Sequence, residues 1–171
     1  MRRPLLNHVS VDERTKFIVI VLHALATWFM VGMIWTIHIV HYPLFAFVGS
    51  DTYEAFQAQH VNLIGRLLLL PWLVEGLTAL ALVFVLSGGK RKLAIAGAAL
   101  ILVIMALSAF ISAPAHGDLA DGFDRKVHDD LMLGNLIRAG LWTVRGGLAT
   151  AILWCSLGSI GSRSNYSSTQ S

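Results

Sequence analysis

Residues 93–112 run for twenty positions without one ionisable side chain. At ~1.5 Å per helical residue such a stretch crosses the ~30 Å hydrocarbon core of a bilayer. Three further windows, about 17–40, 62–86 and 131–157, are almost as apolar, and polar or basic segments separate them. The pattern predicts an all-α integral membrane protein, an antiparallel four-helix transmembrane bundle in which short loops make each helix the neighbour of the next. Composition agrees, because 56% of the 171 residues are hydrophobic and only 13% are charged, too few to coat a water-facing surface.

Local signals place the boundaries. Pro43, in HYPLF after the first window, disfavours a regular helix beyond that point. The segment DTYEAFQAQH then reads as a short interfacial helix on the membrane surface, with Asp51 as N-cap and Tyr53 and Phe56 on one side. Ser87, Gly88 and Gly89 divide the second span from the third, and Pro114 marks the third span's end. Within that span Ala94 and Ala98 recur four apart, the spacing that close helix packing prefers. An acidic loop with Asp118, Asp121, Asp124, Asp129 and Asp130 leads to the fourth span. Residues 1–16 are expected to be a cytoplasmic segment, 17–157 the transmembrane domain, and the Ser-rich stretch 158–171 a disordered cytoplasmic tail. The first apolar window exceeds a secretory h-region and no small-residue cleavage site follows it, so it reads as a retained span.

Charge orients the bundle. Arg2, Arg3, Arg14 and Lys16 precede the first span, Lys90, Arg91 and Lys92 join the second to the third, and Arg163 follows the fourth. All fall on one side, whereas Arg125 and Lys126 on the other are outnumbered by aspartates. The positive-inside rule then puts both termini in the cytoplasm of a bacterial inner (plasma) membrane. The net charge of +3 belongs to loops, which excludes a nucleic-acid partner and leaves the lipid bilayer as the surrounding medium. A single cysteine, Cys155, excludes an intramolecular disulfide and a thiolate metal set. Gly-rich phosphate loops, nucleophile elbows and CxxC pairs are absent, and GDLADGFD lacks the ordered ligand series of a calcium-binding EF-hand.

Ionisable groups inside spans cost several kcal/mol unless they face the bundle interior and find partners, so each is a candidate functional residue. On the first span His23 and His41 lie eighteen residues apart and point the same way, with His38 about 60° from them at ~100° per residue. On the fourth, Asn135, Arg138, Trp142 and Arg145 share a face at spacings of three and four. Glu75 on the second span and Arg145 on the fourth come out at equal depth, roughly 20 Å below the outer boundary. They are expected to form a buried ion pair.

Nearer the outer surface His38, His41, His60 and His116 gather with Asn62, Arg66, Asn135 and Arg138. Neutral imidazoles ligate zinc, copper or iron, and facing helices of a bundle are a known place to build a transition-metal or haem site. His38, His41, His60 and His116 are therefore the candidate metal ligands, with His60 equally readable as an interfacial residue. Asn135 and Arg138 are the candidate catalytic pair, set to orient a lipophilic small molecule or polarise a quinone carbonyl, and Trp142 is a candidate wall for a flat cofactor or ligand. Pairing of Arg138 and Arg145 with Glu75 and with helix ends is the competing reading. His23 reads as a packed core histidine bonded to a neighbour. His128 reads as a solvated loop residue.

HYPLF, Pro71 with Glu75, PAH after the third span and NLIR in the fourth together resemble uncharacterised bacterial four-span membrane proteins, and more distantly the anthrone oxygenase-like group. The resemblance implies oxidation of a hydrophobic, aromatic substrate within the membrane, with Asn135 and Arg138 at the matching positions. Two functional expectations follow from the residues and this resemblance. One is a metal- or haem-dependent membrane oxidoreductase acting on a lipophilic substrate or quinone. The other is a non-catalytic subunit or assembly factor, working as a homo-oligomer or in a larger membrane complex. A transporter has only the Glu75 and Arg145 pair in its favour.

Overall fold

A computed structural model describes residues 11–168, with side chains described through 158. The expectations for residues 1–10, Arg2 and Arg3 among them, and for residues 169–171 lie outside the described residues. Four helical stretches follow one another: α1 (Glu13–Phe47), α2 (Ser50–Val85), α3 (Gly88–Asp121) and α4 (Arg125–Ser168), with no strand among the described residues. The first three are long and apolar enough to cross a membrane.

Asp12 caps α1: its Oδ1 accepts from the Thr15 amide at 3.0 Å, and these bonds hold its carboxyl below the usual carboxylate range. The helix does not stop after residue 40. It widens into a π turn over Ile37–His41 and tightens into a 3-10 turn over Tyr42–Phe47. Pro43 sits in the opening positions of that 3-10 turn, where its missing N–H leaves no bond unmade.

The interfacial helix expected at DTYEAFQAQH is the beginning of α2, continuous from Ser50 to Val85. No Gly or Pro interrupts residues 51–64, so nothing breaks the helix there. Its N-cap is Gly49, and Asp51 lies in the first turn, where a carboxylate meets the positive end of the helix dipole. At ~1.5 Å per residue α2 is about 54 Å long, well beyond a ~30 Å hydrocarbon core.

Pro114 likewise fails to end α3. A π turn over Ser108–Ser112 resets the backbone, and Pro114 falls at the start of the next turn, Ala113–Asp118. Two glycines do break the chain: Gly88 at φ +58° between α2 and α3, and Gly122 at φ +135° after α3, both backbone states that a Cβ resists. Asp124 then accepts from the Val127 amide at 2.9 Å, so α4 begins before residue 131 and takes in His128. At its far end the α4 backbone is helical to Ser168, through most of the stretch expected to be disordered.

Residue numbers rise on one helix as they fall on its neighbour at every contact, which makes the neighbours antiparallel. His23 meets Thr78 and His41 meets His60 between α1 and α2; Trp28 meets Thr150 and Trp35 meets Thr143 between α1 and α4. Arg145 meets Gly97 and Arg138 meets Ser108 between α3 and α4. With α2 also packed on α3, the four close a ring.

Three apolar layers fill the ring. Ile20, Leu82, Leu86, Ala94 and Ile152 pack at one end, Met30, Val31, Ile34, Ile104, Ala139 and Trp142 in the middle, and Ile37, Phe45, Tyr53, Ala115, Leu119 and Leu131 at the other. Large apolar side chains such as Phe84 (73%), Leu102 (71%) and Phe110 (81%) stand exposed on the outside, as a lipid-facing surface requires.

Between the first two layers lies a fully buried polar clip. Arg145 reaches both the Glu75 carboxylate and the Gly97 carbonyl, and Thr27 donates to Glu75 at 3.3 Å. His23 Nδ1 pairs with Thr78 Oγ1 at 3.1 Å and lies 4.0 Å from Glu75. Trp142 covers the guanidinium, 5.4 Å from ring centre to Cζ.

Close approach of α1 and α4 depends on Gly146, where an added Cβ would lie 3.2 Å from the Trp28 ring and 3.3 Å from Val31. The Trp28 indole is held by its 3.0 Å bond to Thr150. Gly146→Ala is expected to destabilise the protein by about 1–3 kcal/mol in thermal unfolding in mild detergent. Gly140→Ala, whose Cβ meets nothing within 4 Å, is expected to be neutral or slightly stabilising.

Candidate functional site

Both π turns lie at one end of the bundle, and the polar side chains of interest surround them. The turn over Ile37–His41 carries His41 inward next to Tyr42; α2 brings Gln57 and His60, one turn apart; the turn after Pro114 brings His116. His41 Nε2 and His60 Nδ1 are 2.7 Å apart, and the His60 and His116 ring centres 5.1 Å apart. Phe45, fully buried, packs edge-on at 5.5 Å from His41 and 5.0 Å from His60.

Hydrogen bonding fixes the state of His116. The Gln57 amide nitrogen contacts His116 Nδ1 at 2.9 Å and the His116 backbone carbonyl at 3.3 Å. A carbonyl only accepts, so this atom is the NH₂ donor and Nδ1 accepts from it. His116 Nε2 therefore carries the hydrogen and donates to the Tyr42 hydroxyl oxygen at 2.9 Å. Both nitrogens of His116 are engaged in a neutral ring.

Arg138 stands behind this pair, within reach of the Tyr42 hydroxyl. It donates to Asn135 Oδ1 at 2.8 Å and to Ser108 Oγ at 3.1 Å, the latter from the π turn of α3. Asn135 in turn donates to the Ile34 carbonyl at 3.5 Å. Arg138 is 9% exposed, and no carboxylate pairs with it among the described residues. Its charge is met by dipoles alone, and Nε has no partner.

Two open grooves meet at His60. One, of about 490 Å³, runs between α2 and α3 along Gln57, His60, Ile64, Ala113, His116 and Ala120. The other, of about 390 Å³, runs along His41, Phe56, His60, Leu63, Ile64 and Leu67. Apart from the imidazoles and glutamines their walls are apolar. His60 Nε2 and Gln57 Oε1 are buried there and have no partner.

Of the four candidate metal ligands the structure joins His41, His60 and His116 in one cluster. His38 stands apart, edge-on to Trp35 at 5.9 Å with its Nδ1 buried and unpartnered. The reason is local: i→i+5 bonding widens the turn, so His38 and His41 lose the shared face that a regular helix would give them. Among the described residues no group of three or more His, Cys, Asp or Glu is arranged to hold a metal ion. Asn135 and Arg138 lie together behind the cluster, Trp142 is 2% exposed in the middle apolar layer, and none of the three lines either groove. Glu75 and Arg145 lie deeper, in the clip.

Sequence reasoning missed three contributors and misjudged a fourth. Tyr42, Gln57 and Ser108 gave no signal as lone polar residues near helix ends, although Gln57 shares a face with His60 three residues on. His128 is not solvated: it is 4% exposed, and its Nε2 bonds the Tyr42 carbonyl at 2.8 Å.

Tyr42 and Tyr53 are both buried, but only the Tyr42 hydroxyl has partners. Tyr42→Phe strands the His116 Nε2–H and is expected to lower stability by about 1–3 kcal/mol, while Tyr53→Phe, which removes an orphan hydroxyl, is expected to be neutral or stabilising. Thermal unfolding of the two variants side by side checks this.

Comparison with known proteins finds no matching family model, no similar curated protein and no similar solved structure.

Proposed function

We propose that the chain is a four-span protein of a bacterial inner membrane, with both termini cytoplasmic, that binds a lipophilic ring compound of the quinone or phenol class and acts on it as an oxidoreductase. The fourth span is residues 131–157, whose two arginines, Arg138 and Arg145, are both buried against the other helices. The basic residues Arg14, Lys16, Lys90, Arg91 and Lys92 lie at the opposite end of the bundle from the imidazole cluster, which under the positive-inside rule supports an extracytoplasmic cluster.

One observation carries the reading: two apolar grooves converge on His60, whose Nε2 is buried without a partner. A groove with apolar walls and a few convergent polar groups is the usual form of a small-molecule site. A ring compound dissolved in the bilayer enters sideways, lays its apolar part along Ile64 and Leu67 or Ala113 and Ala120, and brings its oxygen to His60. Interconversion of a quinol and a quinone moves two protons and two electrons: the His41 and His60 pair is suited to pass the protons, and the electrons go to or come from an external redox partner, a second quinone or a redox protein. Arg138 acts one layer back, near the Tyr42 hydroxyl that His116 bonds, and Asn135 holds Arg138.

The test is binding of a short-tailed benzoquinone, followed by quenching of tryptophan fluorescence in detergent. His60→Ala is expected to weaken binding at least tenfold, about 1.4 kcal/mol, with no change for the lipid-facing Phe84→Ala. Equal affinities for His60→Ala and the unaltered protein would overturn the reading.

A second reading, a transition metal such as iron, copper or zinc, is favoured by the facing imidazoles of His41 and His60. It narrows the ligand set to those two plus external ligands, since His116 has no free nitrogen and His38 stands apart. Haem has no comparable support in the geometry. Elemental analysis and an optical spectrum of protein purified in mild detergent check it: stoichiometric metal lost on His60→Ala supports it, and absence of metal overturns it.

A further inference from the structure

The two orphan atoms in the groove between α2 and α3 specify more than a lipophilic ring. Gln57 and His60 are three residues apart, and so present their side chains on one face of α2, and both line the groove. Gln57 is fully buried and His60 is 6% exposed. The orientation of the Gln57 amide is settled by its nitrogen, which faces both His116 Nδ1 and the His116 carbonyl. Its oxygen is left free, and an amide oxygen can only accept. His60 Nε2 is free as well; when His41 Nε2 donates across their 2.7 Å contact to His60 Nδ1, His60 Nε2 carries a hydrogen and can only donate.

In that tautomer the residues lining this groove hold one unpaired acceptor and one unpaired donor. A single hydroxyl group completes both, its hydrogen going to Gln57 Oε1 and its oxygen accepting from His60 Nε2–H. A carbonyl or an ether oxygen completes only the second and leaves Gln57 Oε1 buried and unpaired. We propose that this groove selects the hydroxyl-bearing form of its lipophilic ligand, a phenol or a quinol, over the matching carbonyl or ether. This deepens the binding reading above and rests on it. Selection of this kind is strong because the penalty falls on the mismatched partner: a site built to bond a hydroxyl rejects the analogue lacking it through the group it leaves unpaired.

A redox-inert pair of probes isolates the effect. 4-Nonylphenol and 4-nonylanisole share ring and tail and differ in one hydroxyl hydrogen replaced by methyl. Their dissociation constants for the full chain in detergent or nanodiscs are expected to differ at least tenfold in favour of the phenol, about 1.4 kcal/mol. In Gln57→Leu that ratio is expected to fall towards one, with the affinity for the anisole kept within a few fold. The ratio in the unaltered protein decides the matter even where the variant does not fold. Equal affinities for the two probes would overturn the hydroxyl preference while leaving the lipophilic site standing. Failure of both to bind would overturn the site itself.

Discussion

Arg145 holds the bundle together by bonding where water cannot. From α4 it reaches the carboxylate of Glu75 on α2 and the carbonyl of Gly97 on α3, and Glu75 accepts from Thr27 on α1. Four helices thus meet at one buried point. Moving either charge alone into a low-dielectric interior costs several kcal/mol, so each requires the other. In lipid, apolar side chains gain little by leaving the bilayer for the bundle core, and packing with internal polar bonds sets helix pairing. The clip supplies register to layers of Leu, Ile, Val and Ala that would otherwise slide with small penalty.

The cluster at the other end depends on that register. Trp142 and the middle apolar layer separate the clip from Arg138, and Arg138 lies seven residues, two helical turns, before Arg145 on the same face of α4. Fixing Arg145 therefore sets where Arg138 meets Ser108 and Asn135. The two arginines share a helix face but not a role: one is neutralised by a carboxylate, the other is held by hydroxyl and amide dipoles behind the imidazole cluster. Two π turns, at Ile37–His41 and Ser108–Ser112, deliver His41 and Ser108 to this level. Wide turns of this kind weaken local backbone bonding and are found mostly where function demands a redirected side chain.

Much of this was legible in the sequence, and the failures have common causes. Apolar windows showed the helices because their length and freedom from charge have few other uses. The equal depth of Glu75 and Arg145 was legible because helical rise is constant along both helices. Boundaries were less so: Pro43 and Pro114 read as stops, yet each falls in the first positions of a new turn, where its missing N–H does no harm. The π turns left no periodic trace, and the face shared by His38 and His41 disappeared with the regular geometry that defined it. Tyr42, Gln57 and His128 could not be placed, since their partners come from other helices 59 to 86 residues away in the chain. Sequence spacing carries no information on such contacts.

The central claim is that a single buried ion pair organises the bundle, and a double-mutant cycle on it is the direct measurement. Thermal and denaturant unfolding in mild detergent would be followed for Glu75→Gln, Arg145→Met and the two together. Each single variant leaves a buried group without its partner and is expected to lose about 3–5 kcal/mol. In the double variant neither charge remains, and its loss is expected to fall short of the sum by a coupling of about 1–3 kcal/mol. Losses that simply add would contradict the account, because they would mean that the two side chains stabilise the fold independently.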